Sequence, residues 1–590
     1  MPHIVIDGKT YEAKAGKTII QVAYENGVDI PHFCWHPELS VSGNCRMCLV
    51  EVGLPRRLPD GSFETDADGK TKINFFPKLQ IACATQIADG MHVKTKTENV
   101  KHTQEAVMEF ILINHPLDCP ICDEAGQCKL QEYAFTNSRG ESRFTDIKNR
   151  AEKRQSWGPN VLYDAERCIT CSRCIRFAKE VAKQDVLSFV NRGDRVTIKV
   201  SDGAQFDNSY SMNVIDLCPV GALTSKDFRF KARVWDMAFN DSICPGCSRG
   251  CNIKIGTRSN EILRFEPKAN PYVNKFSMCD YGRLTQYEKY NLNRVNEPII
   301  KKNGKQESVK WDEALKEAAS RLSQYKGSEI MVIGSAYATN EDSYLLSQFA
   351  KKVLKTDNMD FQSWNDDIFK DDFLKTNDRT PNAAGAKLFG ISPSKYAVSL
   401  DELADKINIG SIKAVYSLDD DFEQYPELLS VFDSLELLIV HANNHSELTE
   451  KADIVFAASA FVESEGTWIN IDGRVQHFEP VLITNENQRL MGLKMGRLAQ
   501  FGHHNDRWHQ NEVRNTKPDW KIIQQIANKM KASWQFKSSE DVFKEITGKF
   551  EALKGFSYAL LDEYQGLTLG KAATPDPKIP EYKSHKLKPN

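Results

Sequence analysis

The stretch from His115 to Cys128 places His115, Cys119, Cys122 and Cys128 in the spacing H-x3-C-x2-C-x5-C. Gaps this short let four side chains converge on one metal centre, with Pro120 and Gly126 helping the backbone turn around it. Thiolates hold either zinc or iron–sulfur clusters, and imidazole replaces one thiolate in both. A lone histidine is usually structural. Here the three cysteines lack a fourth partner, and the need for four ligands per cluster favours ligation by His115. A neutral imidazole in place of a thiolate removes negative charge and should raise the reduction potential.

Three further groups bear on which metal to expect. Cys34, Cys45, Cys48 and Cys83 read C-x10-C-x2-C-x34-C. A ligand loop with a distant fourth cysteine is how plant-type [2Fe–2S] ferredoxins hold iron, where the usual run is C-x4-C-x2-C. The longer first gap departs from a plain ferredoxin and fits the related domains of large redox complexes. His32 and His36 flank Cys34, but four cysteines complete that site, so both read as supporting or surface residues. Cys168, Cys171 and Cys174, with the remote pair Cys218-Pro219, carry the bacterial ferredoxin pattern that normally encodes two [4Fe–4S] clusters. Ala178 stands where the first run would end, and Asn208, Ser211 and Val214 replace the second. One cluster site survives. A zinc site would not explain such a vestige, which favours iron. Cys244, Cys247, Cys251 and Cys279 read C-x2-C-x3-C-x27-C, with Pro245, Gly246 and Gly250 allowing tight turns. That spacing suits another [4Fe–4S] cluster and, taken alone, also admits zinc.

All 15 cysteines lie between Cys34 and Cys279, and residues 280–590 hold none. An odd count excludes a complete disulfide framework within the chain, and core cysteines would scatter rather than fall into groups. A net charge of −3 and a pI near 6.5 offer no basic surface overall, so no nucleic acid partner is expected. No apolar run approaches the roughly 20 residues needed to cross a bilayer; Ile454–Val462 is among the longest. Met1–Ile4 has no signal-peptide pattern. Gly16-Lys17-Thr18 ends like a phosphate-binding loop, yet Tyr11 occupies the place of its first glycine, so nucleotide binding has no support.

The elements that must carry these ligands follow from pattern. His3–Asp7 and Thr10–Ala13 flank an Asp7-Gly8 turn signal, and Thr18–Asn26 reads as a helix closed by Gly27. Leu54–Lys78 reads as a polar surface loop. Lys101–Asn114 reads as an amphipathic helix with Val107, Phe110 and Ile111 at helical spacing, delivering His115. Beyond Asn293 buried strands are expected at Ile330–Ser335, Lys413–Leu418, Leu435–Val440 and Asp453–Ala458, with helices at Glu341–Leu354 and Lys521–Ala532. That alternation implies an α/β domain with a largely parallel sheet. His503, His504 and His509 read as a polar loop, and the lysine-bearing tail (Lys583, Lys586, Lys588) as an extended arm. The expected domains are 1–98, 99–160, 161–237, 238–293 and 294–570, then a tail, 571–590.

Taken in this order, the four groups resemble the large iron–sulfur subunit of the proton-pumping NADH–quinone oxidoreductase, respiratory complex I. The resemblance is strong over residues 1 to roughly 290. It implies an α/β multidomain chain opening on a β-grasp ferredoxin-like domain. It also implies one [2Fe–2S] cluster on Cys34, Cys45, Cys48 and Cys83, and three [4Fe–4S] clusters on the His115, Cys168 and Cys244 groups, the last off the main electron path. Trp311–Leu315, Glu465-Gly466-Thr467, Asn470 and Gly473–Gln476 look like the molybdopterin oxidoreductase fold, here shortened. Without cysteine there, neither molybdopterin nor flavin is expected, and no catalytic residue. The implied partners are a flavin- and NADH-binding subunit, a two-cluster ferredoxin-like subunit and other peripheral-arm subunits, with the membrane arm met only indirectly. The implied place is the cytoplasmic side of a bacterial inner membrane. The implied route runs from the Cys34 group to the Cys168 group and then to the His115 group. An iron–sulfur/molybdopterin subunit of an NAD-linked formate dehydrogenase or hydrogenase is the alternative, and a zinc-stapled interaction protein a third reading.

Overall fold

The computed structural model describes residues 1–590 apart from 57, 60–62, 66–68, 70, 395–396, 419–421, 423–424, 489–512 and 572–590. His503, His504, His509 and the lysines Lys583, Lys586 and Lys588 therefore lie outside the described residues. The chain divides into two compact units, Met1–Asp236 and Met237–Pro575.

In the first unit Asp7 and Gly8 take left-handed backbone, φ 48° and 83°, which suits a two-residue hairpin turn. They join the antiparallel strands His3–Ile6 and Lys9–Glu12 with Ile6 opposite Lys9. Asp7 also accepts from the backbone N–H and the hydroxyl of Thr95, at 2.8 and 2.5 Å, which ties the turn to the strand Met91–Lys94. That strand runs parallel to His3–Ile6 and antiparallel to Leu49–Pro55, and the latter pairs with Ile73–Phe75. Against this mixed sheet lies the helix Ile19–Glu25, capped where Thr18 N donates to Gln21 Oε1 at 2.8 Å. The result is the β-grasp ferredoxin-like arrangement. Ile4 and Ile6 share a core with Ile20, Val50, Val52 and Val93. A one-residue slip would turn both isoleucines to water, at about 1.5–3 kcal/mol each.

Two expectations need correction. The 54–78 segment is not wholly a surface loop, because Leu54 pairs with Asn74 and Pro55 with Ile73. Gly53 makes this possible: a Cβ there would stand 2.7 Å from Ile73 Cγ2 and 3.1 Å from the Phe75 ring. The second concerns the helix before His115, which runs Glu98–Leu112 and starts earlier because Thr97 accepts from Val100 N at 3.3 Å. Its buried stripe is Val100, Gln104 and Met108, at i, i+4 and i+8, whereas Phe110 is 76% exposed.

The second unit is built on a seven-stranded sheet. Met359–Gln362, Ile330–Ser335, Ala414–Ser417, Leu437–Ala442 and Ile454–Ala457 lie side by side and parallel, and an antiparallel hairpin, Ile299–Lys302 with Lys305–Ser308, closes one edge. The four strands expected from sequence are these, within two residues at each end. Helices Trp311–Leu322, Asn340–Gln348 and Asp519–Lys529 bury apolar residues that share one core with the sheet. The expected helix 341–354 changes to π-type winding at Phe349–Leu354 and stops at Lys355, φ 56°.

Below this sheet a buried carboxylate, Glu463, accepts from Arg294 Nη2 at 2.7 Å and Arg514 Nη1 at 3.0 Å. Removing the charge by Glu463→Gln would leave two buried guanidiniums without their counter-ion. The expected loss is roughly 3–5 kcal/mol of stability. Urea unfolding of the variant should show an earlier midpoint; an unchanged midpoint would contradict the assignment.

Candidate metal centres

The first group sits at the edge of the β-grasp sheet. Cys34 is hydrogen-bonded to the thiols of Cys45 and Cys83, and Cys83 to that of Cys48, so four sulfurs from three segments meet. The Cys45 and Cys83 thiols hold Cys34 well below the usual thiol range, as do the backbone N–H groups of Cys45 and Asn44. His32 is anchored through Nδ1 to Ile30 O at 2.7 Å, and burial pushes it down to about 4. His36 accepts from Glu38 N at 3.2 Å. Both histidines thus brace the Cys34 loop.

The same device recurs around the other sulfurs. Backbone N–H groups two residues further on face Cys45 (Met47), Cys122 (Glu124), Cys168 (Thr170), Cys171 (Arg173), Cys218 (Val220) and Cys244 (Gly246). To aim these groups inward, Arg46, Thr170 and Ser172 take left-handed backbone at φ 59°, 52° and 62°. Side-chain-bearing residues hold that conformation only where the surroundings impose it. Burial pushes Cys122 and Cys168 up to about 11 and Cys128 and Cys279 to about 12. All 15 cysteines are free. Thiols this deeply buried give up their protons most readily to a metal's charge.

The Cys168 group touches both of its neighbours in the first unit. Toward the first group, Arg173 donates to Trp35 O at 2.7 Å and Leu217 O at 3.0 Å, and Arg176 to the carbonyls of Cys34 and Cys171. Asn44 Nδ2 donates to Thr170 O at 2.9 Å. Toward the second group, Lys129 N donates to Pro219 O at 3.1 Å, and a Cβ on Gly221 would stand 2.1 Å from Cys122 Sγ. Ala178, Ser211 and Val214 are fully buried, and Asn208 donates to Gln184 Oε1 at 2.7 Å, so packed residues fill the positions of a second ferredoxin cluster.

His115 follows the helix Glu98–Leu112, whose last carbonyls, Leu112 O and Ile113 O, accept from Lys148 Nζ at 2.9 and 2.7 Å. Burial first, then the Lys148 and Arg167 charges, lowers His115 to about 4. The imidazole is therefore neutral near pH 7, the form that binds metals. Its Nδ1 is buried with no hydrogen-bond partner. His115, Cys119, Cys122 and Cys128 all line one cavity of about 680 Å³. Among the described residues no three His, Cys, Asp or Glu side chains converge tightly enough for a single metal ion.

In the second unit Cys244, Cys247 and Cys251 occupy the loop between strands Ala238–Ile243 and Asn252–Arg258, and Cys279 caps the helix Asp280–Leu284, accepting from Gly282 N at 3.3 Å. A Cβ on Gly282 would lie 2.8 Å from Cys244 Sγ. Asn470 and Gln476, singled out above as molybdopterin-type motif residues, donate to Arg249 O at 3.1 Å and Gly250 O at 3.0 Å. They brace the ligand loop.

Sequence profiles agree in order along the chain. Residues 2–98 match a 2Fe-2S iron-sulfur cluster binding domain, and 104–143 the NADH-ubiquinone oxidoreductase-G iron-sulfur binding region. Residues 158–224 match the ferredoxin-like domain of NADH-quinone oxidoreductase subunit 3, and 237–291 the molybdopterin oxidoreductase Fe4S4 domain. Segments 294–401 and 377–490 match molybdopterin oxidoreductase. The large iron–sulfur subunit of the NADH-quinone oxidoreductase of Rickettsia bellii is 38% identical over 60% of this chain and 48% of its own. NADH-quinone oxidoreductase subunit 3 of Thermus thermophilus is 36% identical over 61% and 48%.

The chain resembles the large iron–sulfur subunit of NADH-quinone oxidoreductase.

The 75 kDa subunit of the NADH-ubiquinone oxidoreductase of Reclinomonas americana is 40% identical over 56% of this chain and 45% of its own. The chain spans about half the length of these relatives. A solved NAD+-reducing [NiFe]-hydrogenase, in its H2-reduced state, is 24% identical over 40% of this chain and 91% of its own, with a TM-score of 0.33. The order of domains, ferredoxin-like, Fe4S4 and molybdopterin oxidoreductase, is the fold class read from sequence.

The ligand sets fit iron–sulfur clusters. The donors are buried thiols, the glycines beside Cys122 and Cys244 leave room at the sulfurs, and His115 brings an unpartnered nitrogen to the cavity wall. A thiolate-ligated molybdopterin does not fit the second unit. Residues 280–590 hold no cysteine, and the cavity of about 500 Å³ at the carboxyl ends of the parallel strands is lined by Asp342, Glu447 and Asp519 against one lysine, Lys289. Carboxylates there oppose the phosphates of such a cofactor.

Sequence reasoning missed Arg167, Arg173 and Arg176, and the two cradle glycines. The signal was present in Arg167-Cys168 and Arg173-Cys174, cations set directly beside ligands. The sharpest test of the cradle is Gly221→Ala, whose methyl occupies the space of Cys122 Sγ. The variant should lose the EPR signal and the iron of the His115 group and keep those of the Cys34 group. A full iron content with unchanged spectra would contradict this.

Proposed function

We propose that this chain is an electron-transfer subunit of the peripheral arm of an NADH–quinone oxidoreductase. In this reading Cys34, Cys45, Cys48 and Cys83 hold a [2Fe–2S] cluster. The His115, Cys168 and Cys244 groups each hold a [4Fe–4S] cluster, and electrons from a flavin-bearing NADH-oxidising subunit leave toward quinone through a ferredoxin-like subunit. When bound, such clusters accept and release single electrons. The chain's own residues do the rest. Thiolates and one imidazole hold the iron, backbone N–H groups stabilise charge on sulfur, and burial keeps water away.

One observation carries the reading: the loops of the Cys168 group touch both the Cys34 loop and the Cys122 sulfur. That is the order, Cys34 group, Cys168 group, His115 group, that the resemblance to the large iron–sulfur subunit implies for electrons. The chain carries no proposed catalytic residue, flavin or nucleic acid site. Among the described residues no helix is long and apolar enough to cross a membrane, which is compatible with a peripheral subunit on the cytoplasmic side of a bacterial inner membrane. A formate dehydrogenase role has less support, given the acidic, cysteine-free second unit.

Iron and sulfide analysis with EPR on anaerobically purified complex should report one binuclear and three tetranuclear clusters; zinc without sulfide would overturn the proposal. His115→Cys adds a thiolate's charge and should retain a cluster at a lower potential. In a redox titration, a potential equal to that of the native protein would contradict ligation by His115.

A further inference from the structure

We propose that Arg167 and Asp118 form a charge clamp that sets the reduction potential at the His115 site from the loop of the Cys168 group. The inference rests on the iron–sulfur reading above and names positioning residues within it.

Arg167 directly precedes Cys168, and Asp118 directly precedes Cys119. Arg167 donates through Nη2 and Nε to Asp118 Oδ2, at 2.9 and 3.1 Å, so one ion pair joins the first residues of two ligand loops. Both side chains are largely buried, 6% and 19% exposed, where charges act with little screening. Surrounding charges fix the pair. Asp164 Oδ2 lies 3.4 Å from Arg167 Nε, and Lys153 Nζ reaches Asp118 at 2.5 Å, Glu166 at 2.8 Å and Asp164 at 3.8 Å. Arg150 adds a longer contact to Glu166, 3.7 Å.

The clamp faces the second group. Arg167 and Asp118 both line the cavity of about 680 Å³ bordered by His115, Cys119, Cys122 and Cys128. Arg167 Nη1 makes no hydrogen bond among the described residues, leaving a donor for sulfur. Burial raises Cys122, and of the neighbouring charges Arg167 pulls it back most. At Cys168 the charge that acts is Asp164, in the opposite sense. The arginine thus favours the more negative, reduced state at the His115 site, and the aspartate opposes it.

Two substitutions with opposite electrostatic sign separate this from a purely structural tie. The full chain, purified anaerobically with its native partners, is titrated by EPR. Arg167→Gln should lower the reduced fraction of the His115-group signal at a fixed applied potential by about tenfold, ~59 mV for a one-electron couple. Asp118→Asn should raise it, Arg167→Lys should stay near the native value, and the Cys168-group signal should move less. If Arg167→Gln fails to assemble its cluster, Asp118→Asn and Arg167→Lys decide the question through the same signal. Shifts of the same sign in Arg167→Gln and Asp118→Asn, or none in Asp118→Asn, overturn the clamp. Native protein without any iron–sulfur signal would instead overturn the underlying reading.

Discussion

Three arginines interleaved with Cys168, Cys171 and Cys174 impose the constraint on which the first unit depends. Electron transfer between centres falls off with distance, so ligand loops from distant parts of the chain must be held together without apolar bulk between them. Arg173 and Arg176 solve this toward the Cys34 loop by donating to its carbonyls, and Arg167 solves it toward Asp118. A guanidinium suits the task because its planar fork serves several acceptors at once while its charge offsets that of thiolates. The ferredoxin module pays for this position with half of its own pattern: Ala178, Ser211 and Val214 are packed core where a second cluster would require ligands.

In the second unit the same principle works through amides. Asn470 and Gln476 belong to strand-and-turn segments that look inherited from a cofactor-binding fold, yet their hydrogen bonds end on the carbonyls beside Cys251. Gly250 permits this approach; a Cβ there would stand 2.6 Å from Gln476 Oε1. The acidic lining at the carboxyl ends of the strands fits a scaffold better than a pterin site. Stability there comes from continuous apolar strands and from buried pairs such as Glu463 with its two arginines.

Much of this was legible in the residues. Ligand spacings named the four groups because short cysteine gaps have few other uses. The Asp7-Gly8 turn and the buried strands of the second unit declared themselves through turn chemistry and unbroken apolar runs. What stayed hidden was set by distant contacts. Phe110 has helical spacing, but the stripe that packs is Val100, Gln104 and Met108, a choice made by the partner surface rather than by the helix. Strand pairing of Leu54 and Pro55 depended on the space over Gly53. The arginine bridges join residues more than a hundred positions apart, beyond the reach of any periodicity.

The central claim is that the Cys168 group stands between the other two as the link for electrons. Removing its cluster by Cys174→Ala in an assembled complex, then following NADH reduction by rapid freeze-quench EPR, tests it most directly. The account predicts that the Cys34-group signal still appears at its native rate while the His115-group signal does not. Reduction of the His115 group at the native rate would contradict it.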